Sequence, residues 1–197
     1  MASGIPEQLN RDILLEIYQR MMDAYGPQDW WPADTPFEVM VGAVLTQNTA
    51  WLNVEKAIDN LKQNDSLSVD AITNMSQARL ANLIRPSGYF NVKARRLQNL
   101  CRWLDSMDTI NSLAGLDTEQ FRSQLLSING IGPETADDIL LYAFNRPVFV
   151  IDAYTRRLFT KLGLINGKEP YEFLRYGFES CLDPDESLYN EYHSQII

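Results

Sequence analysis

The sequence predicts an all-α protein. Apolar residues recur every three or four positions along almost the whole chain, which is the period of helices that bury one face. Strict alternation of apolar and polar residues, the pattern of half-buried strands, is not sustained, and the brief run at 148–151 is the one exception. Clusters of glycine, proline and asparagine separate the apolar stripes, as short connections between helices require.

The predicted helices follow one another as apolar stripes, and two of them also carry terminal signals. Asp117 and Gln120 have the spacing of an N-terminal capping box, and Pro133 suits the first position of a helix because it has no N–H to leave unpaired. We therefore expect one helix to end near Ser127 and the next to begin at Pro133. The stripes are Ile13, Ile17 and Met21; Val41, Val44 and Leu45; Trp51, Val54, Ile58 and Leu61; Leu80, Leu83 and Ile84; Leu97, Leu100 and Leu104; Phe121, Leu125, Leu126 and Ile128; Ala136, Ile139, Leu140 and Ala143; and Leu158, Leu162 and Phe178.

A Gly-x-Gly turn joins the helices on either side of residue 131. Gly130 and Gly132 allow positive φ and a close approach of the backbone to another molecule. Two glycines before a helix N-terminus leave backbone N–H groups unpaired, and the helix dipole favours an anion there. We predict a turn that grips a phosphate. A tight helix–helix connection with no ligand is the alternative that these residues alone leave open.

The segment around this turn resembles the helix-hairpin-helix of the endonuclease III (HhH-GPD) superfamily of DNA glycosylases. The matching residues are Gly130, Ile131, Gly132, Thr135 and Ala136, followed by Ile151-Asp152. Residues 42–49 and 85–94 are similar to two further family segments, and the resemblance covers roughly residues 14–192. Within the superfamily, Trp30-Trp31-Pro32, Leu-Thr-Gln-Asn-Thr and Arg-Pro-Ser-Gly look most like the 3-methyladenine DNA glycosylase branch related to endonuclease III.

The resemblance implies two helical lobes. A six-helix barrel that ends with the hairpin would span residues 35–146, and a second lobe would combine residues 1–34 with 147–197. Asp152 would then lie in the cleft between the lobes, where ligand sites are common.

Asp152 is the predicted catalytic carboxylate. By itself, an aspartate before the helical run at 153–158 is typical of an N-cap, and the two roles are compatible. Cleavage of an N-glycosidic bond develops positive charge on the sugar, which a fixed carboxylate stabilises while it orients or deprotonates the attacking water.

Glu134 occupies a position that separates two kinds of glycosylase. Bifunctional members of the superfamily have a lysine there, whose amine attacks the sugar C1′ and forms a Schiff base that leads to strand cleavage. A carboxylate cannot form an imine, so the resemblance implies a monofunctional enzyme without lyase activity. Lys161 and Lys93 stay open as alternative sources of an amine.

Three tryptophans are predicted to form the base pocket. The resemblance places Trp30, Trp31 and Trp51 beside a flipped base, where an indole face over a cationic purine gains ~1–2 kcal/mol when desolvated. Gln47, with Asn48 beside it, is expected to fill the gap that the flipped nucleotide leaves. Core positions for the tryptophans and a helix C-cap for Gln47 are the alternatives.

The resemblance implies further DNA contacts from the loop at 86–91 and from the hairpin. Gly88 belongs to this loop, which would lie along the opposite strand or the pocket rim. Lys93 is a further predicted DNA-binding residue, and Thr135 is grouped with the two hairpin glycines. His193, the one histidine of the chain, is predicted to be a surface or helix-end residue without a catalytic role.

The charge balance argues against DNA binding. The net charge is −9 and the pI is about 4.6, whereas nucleic-acid-binding proteins usually carry a basic footprint. Two basic stretches weaken this objection, although scattered Lys and Arg residues usually form solvated faces. We expect modest, salt-sensitive affinity. The basic residues are Arg79, Arg85, Lys93, Arg95, Arg96 and Arg102, and then Arg156, Arg157 and Lys161.

The cysteine content disfavours one cofactor of the superfamily. Many members carry an iron-sulfur cluster on four C-terminal cysteines, whereas this chain has Cys101 and Cys181 alone, in no ligand spacing. The chain ends at Ile197, about where the cysteine loop begins in the family, so a truncation stays open. We expect no cofactor, and a monovalent cation at the hairpin is left open.

The chain carries no sign of membrane insertion or secretion. Its uninterrupted apolar runs are too short to span a bilayer, and residues 1–10 lack the layout of a signal peptide. We expect a soluble, cytoplasmic monomer that acts beside the chromosome.

These observations predict a monofunctional DNA glycosylase of base-excision repair. Its expected partner is damaged double-stranded DNA, and its expected substrate is an alkylated purine, with 3-methyladenine the leading candidate. Two alternatives stay open. One is an endonuclease III-type glycosylase for oxidised pyrimidines or mismatched bases, and the other is a DNA-binding helix-hairpin-helix protein without catalysis.

Overall fold

The computed structural model describes residues 8–28, 30–107 and 110–197 and confirms the all-α prediction, since it holds no strand within these ranges. A turn of π-helix at Ile139–Ala143 continues α8, and short 3-10 helices cover Arg85–Ser87 and Ile110–Gly115. Among the described residues, no helix is both long and apolar enough to cross a bilayer. The α-helices are α1 (Arg11–Tyr25), α2 (Pro36–Leu45), α3 (Trp51–Gln63), α4 (Val69–Asn74), α5 (Gln77–Leu83), α6 (Phe90–Asp105), α7 (Thr118–Ser127), α8 (Pro133–Asp138), α9 (Ala153–Lys161), α10 (Tyr171–Cys181) and α11 (Glu186–Ile196).

Capping side chains explain where seven of the eleven described α-helices begin. Asp117 accepts hydrogen bonds from the backbone N–H groups of Glu119 and Gln120, so the predicted cap of α7 is confirmed. The predicted helix end at Ser127 and start at Pro133 are also confirmed. N-cap side chains that bond into the first turn also occur at Asn10, Thr35, Ser68, Ser76, Asp152 and Asp185.

The chain folds into two compact units. The hairpin unit is the continuous stretch Ala33–Ile139, and the terminal unit combines Met1–Pro32 with Leu140–Ile197. The six-helix barrel at 35–146 and the lobe formed by 1–34 with 147–197 stay predictions, as does a cleft between them.

The hairpin unit is built around α2. Every residue from Phe37 to Leu45 is buried, because α3, α6 and α8 contact this helix. The turn that carries Gln47 begins where α2 ends, and the Gly-x-Gly turn lies where α8 begins. Packing of α2 against α8 therefore brings two of the predicted DNA-contacting turns into one region of the unit.

A buried ion pair joins the two helices of the hairpin. Arg122 on α7 donates from Nε to Oδ1 of Asp137 on α8 at 2.6 Å, and from Nη2 to Oδ2 at 3.1 Å. Both side chains are almost fully enclosed. A bidentate pair of this kind fixes relative orientation as well as charge, so α7 and α8 are held at a defined angle around the turn.

The terminal unit has an aromatic core. Phe149, Phe159, Phe178 and Tyr192 contact one another, with Phe149 stacked on Phe178 at 4.5 Å between ring centroids. The Tyr192 hydroxyl donates to the Leu14 carbonyl at 2.8 Å, which attaches α11 to α1. These contacts leave the face of α11 that carries His193 turned into the unit.

Candidate active site

Asp152 is the N-cap of α9, as its local sequence predicts. Its Oδ1 accepts a hydrogen bond from the backbone N–H of Thr155 at 2.6 Å, and the residue is buried with about a tenth of its surface exposed (9%). The cap fixes one oxygen of the carboxylate and leaves the other to face its surroundings. The catalytic role of Asp152 stays a prediction.

The other carboxylate oxygen faces His193. The distance from Oδ2 to His193 Nε2 is 3.8 Å, and His193 Nδ1 lies 2.6 Å from the Tyr142 hydroxyl. Burial lowers the pKa of His193 below its ordinary value of 6.5, and the Asp152 charge partly opposes that shift. The imidazole is therefore neutral at neutral pH.

His193 lies in the last turn of α11, which confirms the prediction of a helix-end residue, but only 3% of its surface is exposed. The prediction of a surface residue is wrong, because α11 packs against α1 and α9 and encloses this face. A signal was present in the spacing. Tyr189, Tyr192 and His193 stand at the i, i+3, i+4 positions of a single buried helix face.

Trp30 and Trp31 belong to the same group of aromatic side chains as Tyr142. The Trp31 ring lies 5.1 Å from the Tyr142 ring, and the two indoles are 5.6 Å apart between centroids. Both tryptophans are half-buried, so neither is an ordinary core residue. Trp51 is the first residue of α3 in the hairpin unit and is also half-buried. The base pocket that these residues would form stays a prediction.

The two hairpin glycines have different conformations. Gly130 has φ of 100°, and a Cβ built there would lie 2.5 Å from Cγ of Arg96. Gly132 has φ of −97°, with nothing within 4 Å of a Cβ at that position. Gly130 is thus required by the turn itself, while Gly132 leaves open space beside the backbone. The Thr135 side chain, grouped with them in the sequence analysis, is buried.

Gln47 reaches the hairpin through a side-chain hydrogen bond. Its Nε2 donates to Oε1 of Glu134 at 3.0 Å, and both residues belong to the hairpin unit. The C-cap of α2 is Thr46, so the alternative of a C-cap at Gln47 is wrong. Asn48, which follows, has φ of 53° and makes the chain turn sharply after α2.

Lys93 does not present its charge to solvent, since only 2% of the residue is exposed. Its ammonium donates to the carbonyls of Leu45 and Ser87 at 2.8 and 2.7 Å, and to the Thr49 hydroxyl at 2.6 Å. Direct contact of this ammonium with DNA does not fit the structure. Lys93 instead ties the turn that carries Gln47 to the turn before Gly88.

The enclosure of Lys93 also bears on its chemistry. Burial lowers the pKa of this amine to about 8, with the Arg96 charge adding to the effect. Such a pKa suits a nucleophile, but three acceptors surround the nitrogen inside the unit. Lys161, the other alternative amine, is exposed at the end of α9.

Gly88, the predicted DNA contact of the loop before α6, has φ of 66°, with open space at its Cβ position.

The residues present do not fit an iron-sulfur cluster of the kind found in this superfamily. Such a cluster needs four cysteine ligands, and the chain has two, with Cys101 buried inside α6 and Cys181 at the end of α10. In the described part of the chain, no group of three or more His, Cys, Asp or Glu side chains is arranged to hold a metal ion.

The Gly-x-Gly turn lies between two helices that an ion pair joins, and an aspartate that caps the next helix follows them in the chain. This arrangement is typical of helix-hairpin-helix DNA repair proteins. Residues 41–184 match the HhH-GPD superfamily of base excision DNA repair proteins, and the chain belongs to this superfamily. The resemblance that the motifs indicated is thereby confirmed, and the protein is a DNA glycosylase of the HhH-GPD type.

Individual relatives agree with this assignment. A candidate DNA repair glycosylase of Methanocaldococcus jannaschii is 47% identical, over 94% of this chain and 86% of the relative. Endonuclease III of Sulfolobus acidocaldarius is 28% identical, over 81% and 70% of the two chains. The crystal structure of H. pylori 3-methyladenine DNA glycosylase MagIII bound to 1,N6-ethenoadenine has a TM-score of 0.80 and 32% identity, and it covers 95% of each chain.

A complex with DNA is among the similar structures. A trapped covalent endonuclease III–DNA intermediate has a TM-score of 0.80 at 20% identity, over 96% of this chain and 85% of that one. At this identity the likeness shows the shared fold.

Proposed function

We propose that the protein is a monofunctional DNA glycosylase that excises alkylated purines, with 3-methyladenine as the leading substrate, from damaged double-stranded DNA. The observation that carries this proposal is the buried carboxylate of Asp152. One of its oxygens is bound by the helix it caps, and the other lies beside a neutral imidazole near Trp31 and Tyr142. Similarity to the H. pylori 3-methyladenine glycosylase, at 32% identity, supports the substrate class.

In the proposed reaction the bond between the sugar C1′ and the base nitrogen breaks, and its electron pair leaves with the base. Positive charge then develops on the sugar, and the Asp152 carboxylate stabilises it. A water molecule adds to C1′, and its proton passes to the carboxylate. A 3-alkylated adenine already carries a positive charge, so it departs as a neutral base and needs no second carboxylate.

The tryptophans supply the proposed discrimination between damaged and normal bases. A cationic purine gains from contact with the electron-rich faces of Trp30 and Trp31, whereas normal adenine is neutral. The half-buried state of both indoles supports a role at a surface that a base can reach. We also propose that Trp51, which is half-buried at the start of α3, contributes to base binding as the resemblance implies.

The proposal of monofunctional chemistry rests on Glu134 and Lys93. Glu134 stands where bifunctional enzymes of the superfamily have their lysine, and its carboxylate accepts a hydrogen bond from Gln47. The Lys93 amine is enclosed by Leu45, Thr49 and Ser87, so it does not supply a nucleophile in its place. We propose that the enzyme works as a monomer and leaves an abasic site with the strand intact.

The test is to incubate methylated duplex DNA with wild type and Asp152→Asn, and to measure released bases and strand breaks separately. Asparagine caps helices about as well as aspartate, so this variant loses the charge and keeps the cap. We expect wild type to release free 3-methyladenine without strand breaks, and Asp152→Asn to be slower by about a hundred-fold or more.

Asp185→Asn is the matched control, because Asp185 caps α11 in the same unit through the same kind of bond to Leu188. Its excision rate should equal that of wild type. On a second duplex that contains thymine glycol, release of that base together with strand nicking would assign the protein to the endonuclease III type. Equal excision by wild type and Asp152→Asn would contradict the assigned role of Asp152.

A further inference from the structure

His193 is buried without a role in the chemistry derived so far. Its Nε2 atom has no hydrogen-bond partner in the described part of the chain, although only 3% of the residue's surface is exposed. Buried polar atoms are nearly always bonded, so an orphaned one calls for an explanation. The nearest charged group is the Asp152 carboxylate, at 3.8 Å.

The hydrogen-bond partners determine which imidazole nitrogen carries the proton. Nδ1 lies 2.6 Å from the Tyr142 hydroxyl, which can donate to it or accept from it. If Nδ1 carried the proton, the lone pair of Nε2 would face the negative carboxylate, which is repulsive. If Tyr142 donates to Nδ1, the proton lies on Nε2 and points toward Asp152. The second arrangement satisfies both neighbours.

We propose that His193 is a positioning residue, whose Nε2–H holds Oδ2 of Asp152 while Thr155 holds Oδ1. This inference rests on the proposed function of Asp152. A single bond from the Thr155 backbone would leave the carboxylate free to rotate about its own axis. A second contact on the other oxygen fixes the plane of the carboxylate, and therefore the direction of its charge toward the reacting sugar.

The distance of 3.8 Å fits this role in the free protein. It is longer than a direct hydrogen bond, and catalytic hydrogen bonds are often long before substrate binds and shorten in the complex. Among the described residues, the charge that acts on the imidazole is that of Asp152, the N-cap of α9, and the Tyr142 hydroxyl on the π-helical turn contacts the other side of the ring. The contact thus couples two elements of one unit.

Tyr142 connects this contact to the predicted base pocket. Its ring lies 5.1 Å from Trp31 and 5.8 Å from His193, and its hydroxyl selects the tautomer. A base that displaces the Trp31 ring would also act on Tyr142. The orientation of the carboxylate and the occupation of the pocket are therefore linked through one side chain.

The kinetic test compares His193→Gln with His193→Met in the full chain. Glutamine keeps an N–H donor near the position of Nε2, whereas methionine fills the space without a donor. We expect His193→Met to lower the single-turnover excision rate on methylated duplex by about ten- to a hundred-fold, with DNA affinity changed less than about three-fold. His193→Gln should retain most of the rate.

The melting temperatures of both variants are measured as well, because they separate a loss of rate from a loss of stability. If the two variants lose rate in proportion to lost stability, or if both excise at the wild-type rate, the positioning role is overturned. If wild type releases base, Asp152→Asn does not, and His193→Met matches wild type, then the inference alone fails. If wild type releases no base from any alkylated duplex, the proposed function fails first.

A second readout needs no excision. Because the chain has one histidine, ¹⁵N-labelled protein gives one set of imidazole signals. We expect a neutral ring with the proton on Nε2 at neutral pH, and a change of these signals in both Asp152→Asn and Tyr142→Phe. A proton on Nδ1, or imidazole signals that do not change in Asp152→Asn, would contradict the contact between His193 and Asp152 on which the inference depends.

Discussion

Gln47 donates a hydrogen bond from Nε2 to Oε1 of Glu134 across 3.0 Å. The first residue lies in the turn after α2, and the second lies in the first turn of α8. The side chain that is predicted to fill the gap left by a flipped nucleotide is thus oriented by a carboxylate at the hairpin. Glu134 therefore does more than replace the lysine of the bifunctional enzymes, because it also holds the Gln47 side chain.

Glu134→Gln should raise general DNA affinity. An amide oxygen can still accept the Gln47 bond, while a negative charge beside the phosphates is removed. We expect affinity for undamaged duplex to rise about two- to five-fold at low salt and to converge with wild type at high salt, measured by fluorescence anisotropy. Glu55→Gln, at an exposed position of α3, is the control for net charge. An equal rise in both variants would contradict proximity of Glu134 to the phosphates.

Gln47→Ala should affect excision from duplex DNA far more than excision from a single strand. An unpaired strand leaves no gap to fill, and a base in it costs little to extrude. We expect a loss of about ten-fold or more on duplex substrate and little change on the single strand. Gln63→Ala, at an exposed position of α3, serves as the comparison. Equal losses on the two substrates would count against the gap-filling role.

The two hairpin glycines should separate stability from binding. Gly130→Ala forces a side chain onto φ of 100° and against Arg96, at a cost of about 1–3 kcal/mol of unfolding free energy. Gly132→Ala meets no atom within 4 Å and should cost less than about 1 kcal/mol. Its effect should appear instead as weaker DNA binding, because a methyl group would occupy the space beside the backbone. Urea denaturation and anisotropy measure the two effects, and intact binding by Gly132→Ala would argue against phosphate contact there.

Lys93→Met should destabilise the hairpin unit. The substitution leaves the carbonyls of Leu45 and Ser87 without their charged donor inside the fold. We expect a loss of about 2–3 kcal/mol in urea denaturation. Lys56→Met removes the same group from an exposed position of α3 and should change stability by less than about 0.5 kcal/mol. A small effect of Lys93→Met would show that the ammonium is not needed to join the two turns.

The buried state of His193 should make stability depend on pH. Burial lowers its pKa below 6.5, so the unfolded chain binds more protons than the folded chain as pH falls below 6.5. Folded-state stability is therefore present above this pH and is lost on acidification. In chemical denaturation at a series of pH values, His193→Gln should show a shallower decline than wild type between pH 6.5 and the lowered pKa. Parallel curves would contradict a buried, neutral imidazole.

Local chemistry made much of this structure predictable. Asp117 and Asp152 mark helix starts through bonds to near neighbours in sequence, and Pro133 does so because it has no N–H to leave unpaired. Gly130 adopts the positive φ that its turn suggested. Such features need no knowledge of the rest of the chain.

The positions of His193 and Lys93 were not predictable in the same way. The partners of His193 lie far away in sequence, on the π-helical turn and at the start of α9. Tyr142, for example, is 51 residues away from His193. Lys93 bonds to Leu45 at a separation of 48 residues. A lysine in a basic stretch is usually exposed, and only the tertiary fold shows that this one is enclosed.

The hairpin unit is one uninterrupted stretch, whereas the terminal unit is made of two segments that lie on either side of it in sequence. During synthesis, residues 33–139 can therefore fold before the second segment has left the ribosome, while the helix that holds Leu14 must wait for Tyr192. The unit that carries the predicted phosphate-binding turn would be complete ahead of the side chains proposed for catalysis. With that turn formed first, the nascent protein would bind a duplex before it could excise a base from it.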